Sequence, residues 1–188
     1  MKKPAVEKKG MFRSAIQYLS YKMIDMVHDN ERLMSTKKPI ELLKAAGLQK
    51  GQKVLEVGCG PGFFTFPAAG LVGPEGLVYA VDSNPYAIRR VEQKMEQSGA
   101  ANVRPMLANA GQSGIAEGTV DLAFVFGLLH VDGGIRALLD GLYKVIRVGG
   151  TLAFEKTRKP DQEIIDTAKA AGFCYTGRQD RVLQFAKR

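Results

Sequence analysis

The sequence is poor in cysteine and in long apolar runs, and each shortage closes off a class of protein. Only two cysteines, Cys59 and Cys174, occur in 188 residues. Two isolated thiols build neither a disulfide framework nor a metal-ligand spacing. No metal site is expected, and a reducing, cytoplasmic setting is the default. No apolar run approaches the roughly 18 residues that cross a bilayer, so no transmembrane segment is expected. The first ten residues are basic and lack an apolar stretch, unlike a secretory signal. Repeats and low-complexity linkers are missing too. So are two nucleotide signatures. No Gly-Lys-Ser/Thr follows a glycine loop, as a Walker-type phosphate loop requires. The glycine loop that is present lacks the Gly-x-Gly-x-x-Gly spacing of dinucleotide sites.

What is present is an ordinary globular composition, 45% hydrophobic and 24% charged, in a length that suits one domain. The net charge is +8. Much of the excess lies early, at Lys2, Lys3, Lys8, Lys9, Arg13 and Lys22. Such a tail admits RNA, an anionic membrane surface or an acidic substrate as partner. The charges are not interleaved with aromatics as on a nucleic-acid platform. A solvated basic tail is the preferred reading, and nucleic acid is disfavoured.

Phe12, Ala15, Ile16, Leu19, Met23, Ile24 and Val27 recur at helical spacing, which predicts an amphipathic helix over residues 11–28. A short helix over 39–46 stops at Gly47. The pattern then becomes an alternation. Strands are predicted at Lys53–Val57, 76–82, Val103–Leu107, 120–126 and 151–155, the last after a Gly149-Gly150 turn. Helices are predicted after Gly62 and over 84–97, 135–147 and 161–171. A closing strand pair is predicted at 173–176 and Val182–Ala186. Strands alternating with helices imply a mostly parallel α/β sheet. The strands are too apolar for a sheet with one wet face, so helices must cover both.

The run Val54-Leu55-Glu56-Val57-Gly58-Cys59-Gly60-Pro61-Gly62 carries the chemistry. It reads as a buried strand that ends in a carboxylate and opens into a glycine loop. Beside a pyrophosphate the carboxylate would be repelled by several kcal/mol; beside a cation it is attracted. Glycines let the backbone turn tightly and pass close to a ligand. Asp82 ends the next strand, where an acidic residue in doubly wound folds binds ribose hydroxyls. The alternative is a helix cap shared with Ser83 and Asn84. Asn109 and Ala110 end the third strand. The Asn109 amide oxygen can take an adenine amino group and the Ala110 amide a ring nitrogen, or Asn109 merely forms a turn. A nucleoside with ammonium and sulfonium charges, S-adenosylmethionine, meets these demands.

On these residues the stretch 37–188 resembles a class I S-adenosylmethionine-dependent methyltransferase. The segments that carry the likeness are 54–62, 78–82, 107–110, 120–126 and 142–154. It is closest to the small-molecule group that includes quinone-biosynthesis methyltransferase-like proteins. The resemblance implies a Rossmann-like, doubly wound, seven-stranded sheet, mostly parallel with an antiparallel last strand. The methyltransferase domain is thus expected over 37–188, and the basic tail and amphipathic helix outside the alternating pattern are expected to form a tail and lid over 1–36. The resemblance implies cofactor contacts at Glu56, Gly58, Gly60, Asp82, Asn109, Ala110 and Phe126. With the rest of the loop and strand ends, Cys59, Gly62 and Ser83 join the set. The family more often has Asp where this chain has Asn109.

The methyl acceptor is expected after the fourth strand, at Phe126-Gly127-Leu128-Leu129-His130. The Asp/Asn-Pro-Pro-Tyr/Phe signature of nucleic-acid amino-methyltransferases does not occur there. Neither cysteine is placed to attack a cytosine, and arsenite methylation would need more thiolates. Direct displacement on a small-molecule acceptor remains, and that needs alignment and sometimes a base. His130 is the candidate base, with a packing histidine as the plainer reading. Tyr18, Tyr21, Leu128 and His130 are the candidate acceptor contacts, with ordinary helix packing the alternative for the tyrosines. An RNA or protein methyltransferase, and a non-catalytic nucleoside-binding protein of the same fold, stay open beside the small-molecule reading.

Overall fold

Among the described residues the alternation resolves into thirteen short elements. A computed structural model describes residues 39–127, 133–155 and 160–188. These fall within one unit, Pro39–Arg188. In chain order the elements are α1 (Pro39–Ala45), β1 (Lys53–Val57), α2 (Thr65–Val72), β2 (Leu77–Asp82), α3 (Pro85–Ser98), β3 (Val103–Leu107), a 3-10 turn (Ala110–Gln112), β4 (Val120–Val125), α4 (Gly134–Val145), β5 (Ile146–Glu155), α5 (Asp161–Ala170), β6 (Cys174–Gln179) and β7 (Val182–Ala186). Helix α3 shows the local logic. The Asn84 side chain accepts from the Tyr86 N–H at 2.8 Å, Pro85 opens the first turn and left-handed Gly99 closes the last.

The strands form one sheet in the order β3-β2-β1-β4-β5-β7-β6. Every pairing is parallel except those of β7, which runs antiparallel to both β5 and β6. The expected seven-stranded, doubly wound sheet is therefore present. After β3 the chain returns to lay β4 on the other side of β1. That reversal creates the crevice at the carboxyl ends of β1 and β4 where such sheets bind ligands.

The apolar strands bury both faces, as their composition requires. One face packs Val54, Val78, Phe124 and Ala153 against Leu43 of α1, Phe64 and Val72 around α2, and Ile88 and Val91 of α3. The other packs Leu55, Val57, Val125 and Phe154 against Leu139 and Leu142 of α4 and Ile164 and Ala168 of α5. Strand alternation puts Glu56 on the first face with Val54. The Gln184 side chain of β7 donates to the Ala45 carbonyl at 2.6 Å, so the end of α1 is tied to the far side of the sheet.

Two expectations need correction. The predicted helix over 135–147 ends at Val145, and the strand predicted to start at residue 151 starts at Ile146. The Gly149-Gly150 pair is not a turn but lies within β5. The Gly149 N–H donates to the Lys187 carbonyl at 2.8 Å and the Lys187 N–H to the Gly150 carbonyl at 3.0 Å. A remote partner thus continues the ladder across a local turn signal, and a shift in the β4–β5 register between Val120 and Leu122 absorbs the mismatch. The tail and lid helix expected over 1–36, with Tyr18 and Tyr21, lie outside the described residues. So do Leu128 and His130.

Candidate functional site

The site grows from the end of β1. Gly58, Gly60 and Gly62 all take left-handed backbone angles, with φ of 72°, 52° and 91°. At Gly62 an added Cβ would stand 2.8 Å from the Phe66 ring. The Gly58 and Cys59 N–H groups both donate to the Val81 carbonyl, at 2.9 and 3.1 Å, which draws the loop over the end of β2.

Asp82 completes that link. Its Oδ2 accepts from the Gly60 N–H at 2.9 Å and its Oδ1 from the Asn84 N–H at 2.8 Å. It is buried, and a carboxylate oxygen can accept more than one donor. The capping of α3 falls to Asn84, which leaves Asp82 to hold the loop. Ser83, between them, is exposed.

Glu56 is only 2% exposed. The Thr65 hydroxyl donates to its Oε2 at 2.5 Å. Burial pushes the Glu56 carboxyl up to about 8, the Thr65 hydrogen bond pulls against that rise, and the Asp82 charge adds to it. Burial also pushes the neighbouring Cys59 thiol well up, and the Glu56 and Asp82 charges push it further. A thiol in that setting stays protonated and is no nucleophile.

Phe126 sits at the end of β4 with its ring buried. It lies 5.3 Å from the Phe64 ring and 5.0 Å from Phe124, in a cluster that Phe63 extends at 4.8 Å from Phe64. These centroid separations are those of favourable edge and tilted pairs. The ring belongs to the core, and its backbone is what Phe126 offers a ligand.

At the end of β3 the Ala108 N–H donates to the Asp82 carbonyl at 3.0 Å. Asn109 is exposed, and its Oδ1 accepts from the Gly111 N–H at 3.0 Å, capping the 3-10 turn. The turn-forming role weighed for Asn109 is thus present, and one lone pair of the oxygen is used by it. Ala110 is partly buried. The turn lies directly on α4: a Cβ added to Gly141 would overlap the Gly111 backbone.

Hydrogen bonds therefore join the glycine loop, Asp82 and the start of the Asn109 turn into one rim over β1, β2 and β3, while Glu56 is tied to Thr65 of α2. Two neighbours escaped sequence reading. Thr65 carried a signal, a hydroxyl at the start of the helix after the loop. Glu155 is a buried acid that ends β5 after an apolar run. Its Oε1 has no hydrogen-bond partner, although the Arg181 guanidinium stands 3.5 Å away. Among the described residues no helix is long and apolar enough to span a membrane, and no three acidic, histidine or cysteine groups gather as metal ligands.

The strand order, with a glycine loop after β1 and an acid ending β2, defines a Rossmann-like domain. A family model described as a methyltransferase domain matches residues 48–186, and the chain belongs to that family. A demethylmenaquinone methyltransferase of a Geobacillus strain is 32% identical over 121 residues, covering 64% of this chain and 51% of that protein. A protein-L-isoaspartate O-methyltransferase of Ignicoccus hospitalis is 30% identical over 124 residues, covering 66% and 56%. The chain spans about half the length of the curated relatives it matches. Among solved structures, a SAM-dependent methyltransferase from Aquifex aeolicus overlays with a TM-score of 0.74 at 23% identity, covering 88% of this chain and 96% of that one.

Proposed function

We propose that the chain transfers a methyl group from S-adenosylmethionine to a small-molecule acceptor by direct displacement. The observation that carries this reading is a pair of acids at one glycine loop, Glu56 two residues before its first glycine and Asp82 hydrogen-bonded to it. Glu56 is buried and Asp82 is fastened to the loop through the Gly60 N–H. A cation and a diol on one nucleoside suit that pair, and a pyrophosphate does not. When bound, the cofactor would supply a methyl carbon on a sulfonium, to which an acceptor's electron pair forms a bond as the carbon–sulfur bond breaks and S-adenosylhomocysteine leaves.

The residues have distinct tasks. Asp82 accepts the ribose hydroxyls while holding the loop. Glu56 faces the ammonium. The loop of Gly58, Cys59, Gly60 and Gly62 lets the amino-acid tail approach the backbone. Asn109 and Ala110 receive the adenine edge, with Asn109 using the lone pair that Gly111 leaves. Phe126 and Gly127 mark the acceptor side by lying at the end of β4. His130 remains the candidate base on its sequence position. A screen of thiols, phenols, amines and quinols for conversion of the cofactor to S-adenosylhomocysteine tests the reading. Turnover with any of them also excludes a non-catalytic nucleoside-binding protein.

A macromolecular acceptor is favoured by one observation each for protein and RNA. The Ignicoccus relative acts, by its name, on protein isoaspartate, and the net charge here is +8. Methylation of aged peptides, or a salt-dependent shift of bulk RNA, would move the assignment.

A further inference from the structure

A buried carboxyl group that is to meet a cation needs something to orient it and support its charge. Among the described residues, the Thr65 hydroxyl is the donor that Glu56 has. Thr65 is fully buried and opens α2, where a hydroxyl would ordinarily bond to its own helix. Here the helix start has no side-chain cap, and the hydroxyl reaches across to β1 instead.

The other surroundings of Glu56 do not favour its charge. Its sheet neighbours are Ala80 on β2 and Phe124 on β4. Helix α2, Thr65–Val72, has no charged residue. The charged group that bears on it is Asp82 at the end of β2, which opposes its ionisation; the Cys59 thiol in the loop stays neutral. The single hydroxyl therefore works against burial and the Asp82 charge.

We propose that Thr65 is a positioning residue for the ammonium of the cofactor: its hydroxyl orients the Glu56 carboxylate and supports its charge opposite the amino-acid tail. The inference rests on the reading of Glu56 as the ammonium partner. Because burial holds the Glu56 carboxyl near 8, an ammonium ligand must drive a proton off it at neutral pH. Affinity for such a ligand then rises with pH below the Glu56 value. A ligand without the ammonium has nothing to gain from that ionisation.

The test compares S-adenosylhomocysteine with 5′-methylthioadenosine, which lacks the amino-acid tail, by calorimetry between about pH 5.5 and 7. That window keeps the ligand's amino group charged, since α-amino groups titrate near 8. In the unaltered protein, S-adenosylhomocysteine should bind more tightly as pH rises, with proton release, and 5′-methylthioadenosine should not respond. Thr65→Val should weaken S-adenosylhomocysteine about tenfold, the scale of a lost hydrogen bond to a charged group, and leave 5′-methylthioadenosine unchanged. Thr65→Ser should restore the affinity. Equal weakening of both ligands would reduce Thr65 to a packing residue and overturn the inference. PH-independent binding of both ligands to the unaltered protein would remove Glu56 from the ammonium and overturn it without any variant. Binding of neither ligand would instead bring down the cofactor reading itself.

Discussion

The ends of β1 and β2 each present a carboxylate, and the two are held by different kinds of donor. Asp82 is gripped by two backbone N–H groups, one from the glycine loop and one from the start of α3. Glu56 lies deeper and has a single hydroxyl from α2. Main-chain donors are fixed by the fold, so the Asp82 oxygens have set directions and the loop depends on them. A side-chain donor can be removed by one substitution, so the charge of Glu56 is conditional. One acid shapes the site and the other responds to what enters it.

The largest effect is expected from breaking the first acid. Asp82→Ala should weaken S-adenosylhomocysteine binding by about 1.5–3 kcal/mol, read by calorimetry, and it leaves the Gly60 and Asn84 N–H groups without their acceptor. Unchanged affinity would refute the ribose assignment. Gly62→Ala tests the loop that joins the acids. A methyl group 2.8 Å from Phe66 on a left-handed backbone should cost about 1–3 kcal/mol of stability, read by denaturant melts, and should weaken binding alongside it.

Glu56→Gln sharpens the contrast. A carboxyl raised to about 8 in the folded protein binds its proton there while the unfolded chain has released it. Its contribution to stability is therefore present at low pH and is lost as pH rises through the unfolded value toward about 8. The neutral variant should melt higher than the parent at pH 8 in the absence of ligand, and the gap should close near pH 5. A constant gap across that window would contradict the raised value.

Asp121 supplies the control and the smallest effect. Burial raises its carboxyl, but hydrogen bonds from Arg147 and the Lys53 N–H outweigh that and hold it below the usual range. Its stabilisation is present at neutral pH and lost as pH falls. Asp121→Asn should cost only about 0.2–1 kcal/mol, since the pair is largely solvated, and should leave S-adenosylhomocysteine affinity untouched. A change in affinity would mean that carboxylates away from the rim also set the site.

The parts of the fold that were readable were those whose signal is local. Lys53–Val57, Val103–Leu107 and Val182–Ala186 have the bounds their apolar runs suggested. The glycine spacing and Asp82 point to the candidate site because backbone conformation and strand ends follow chain order. What was missed depends on contacts between distant elements. Gly149-Gly150 looks like a turn until Lys187 is placed beside it. Thr65 looks like any helix-opening threonine until its helix crosses Glu56. The Phe126 ring looks available to a ligand until Phe64 and Phe124 close around it. Periodicity shows that a residue is buried; it does not show what stands opposite.

The meeting of Gly111 with Gly141 has its own consequence. There the Asn109 turn rests on α4 backbone to backbone, with no rotamer able to give way between them. Core side chains can be exchanged and repacked with small shifts, and elements that touch through side chains drift apart as sequences diverge. A contact made only of main chain has no such slack. The distance between that turn and its helix is set there by main chain, and a single methyl added at Gly141 would have to push one backbone off the other.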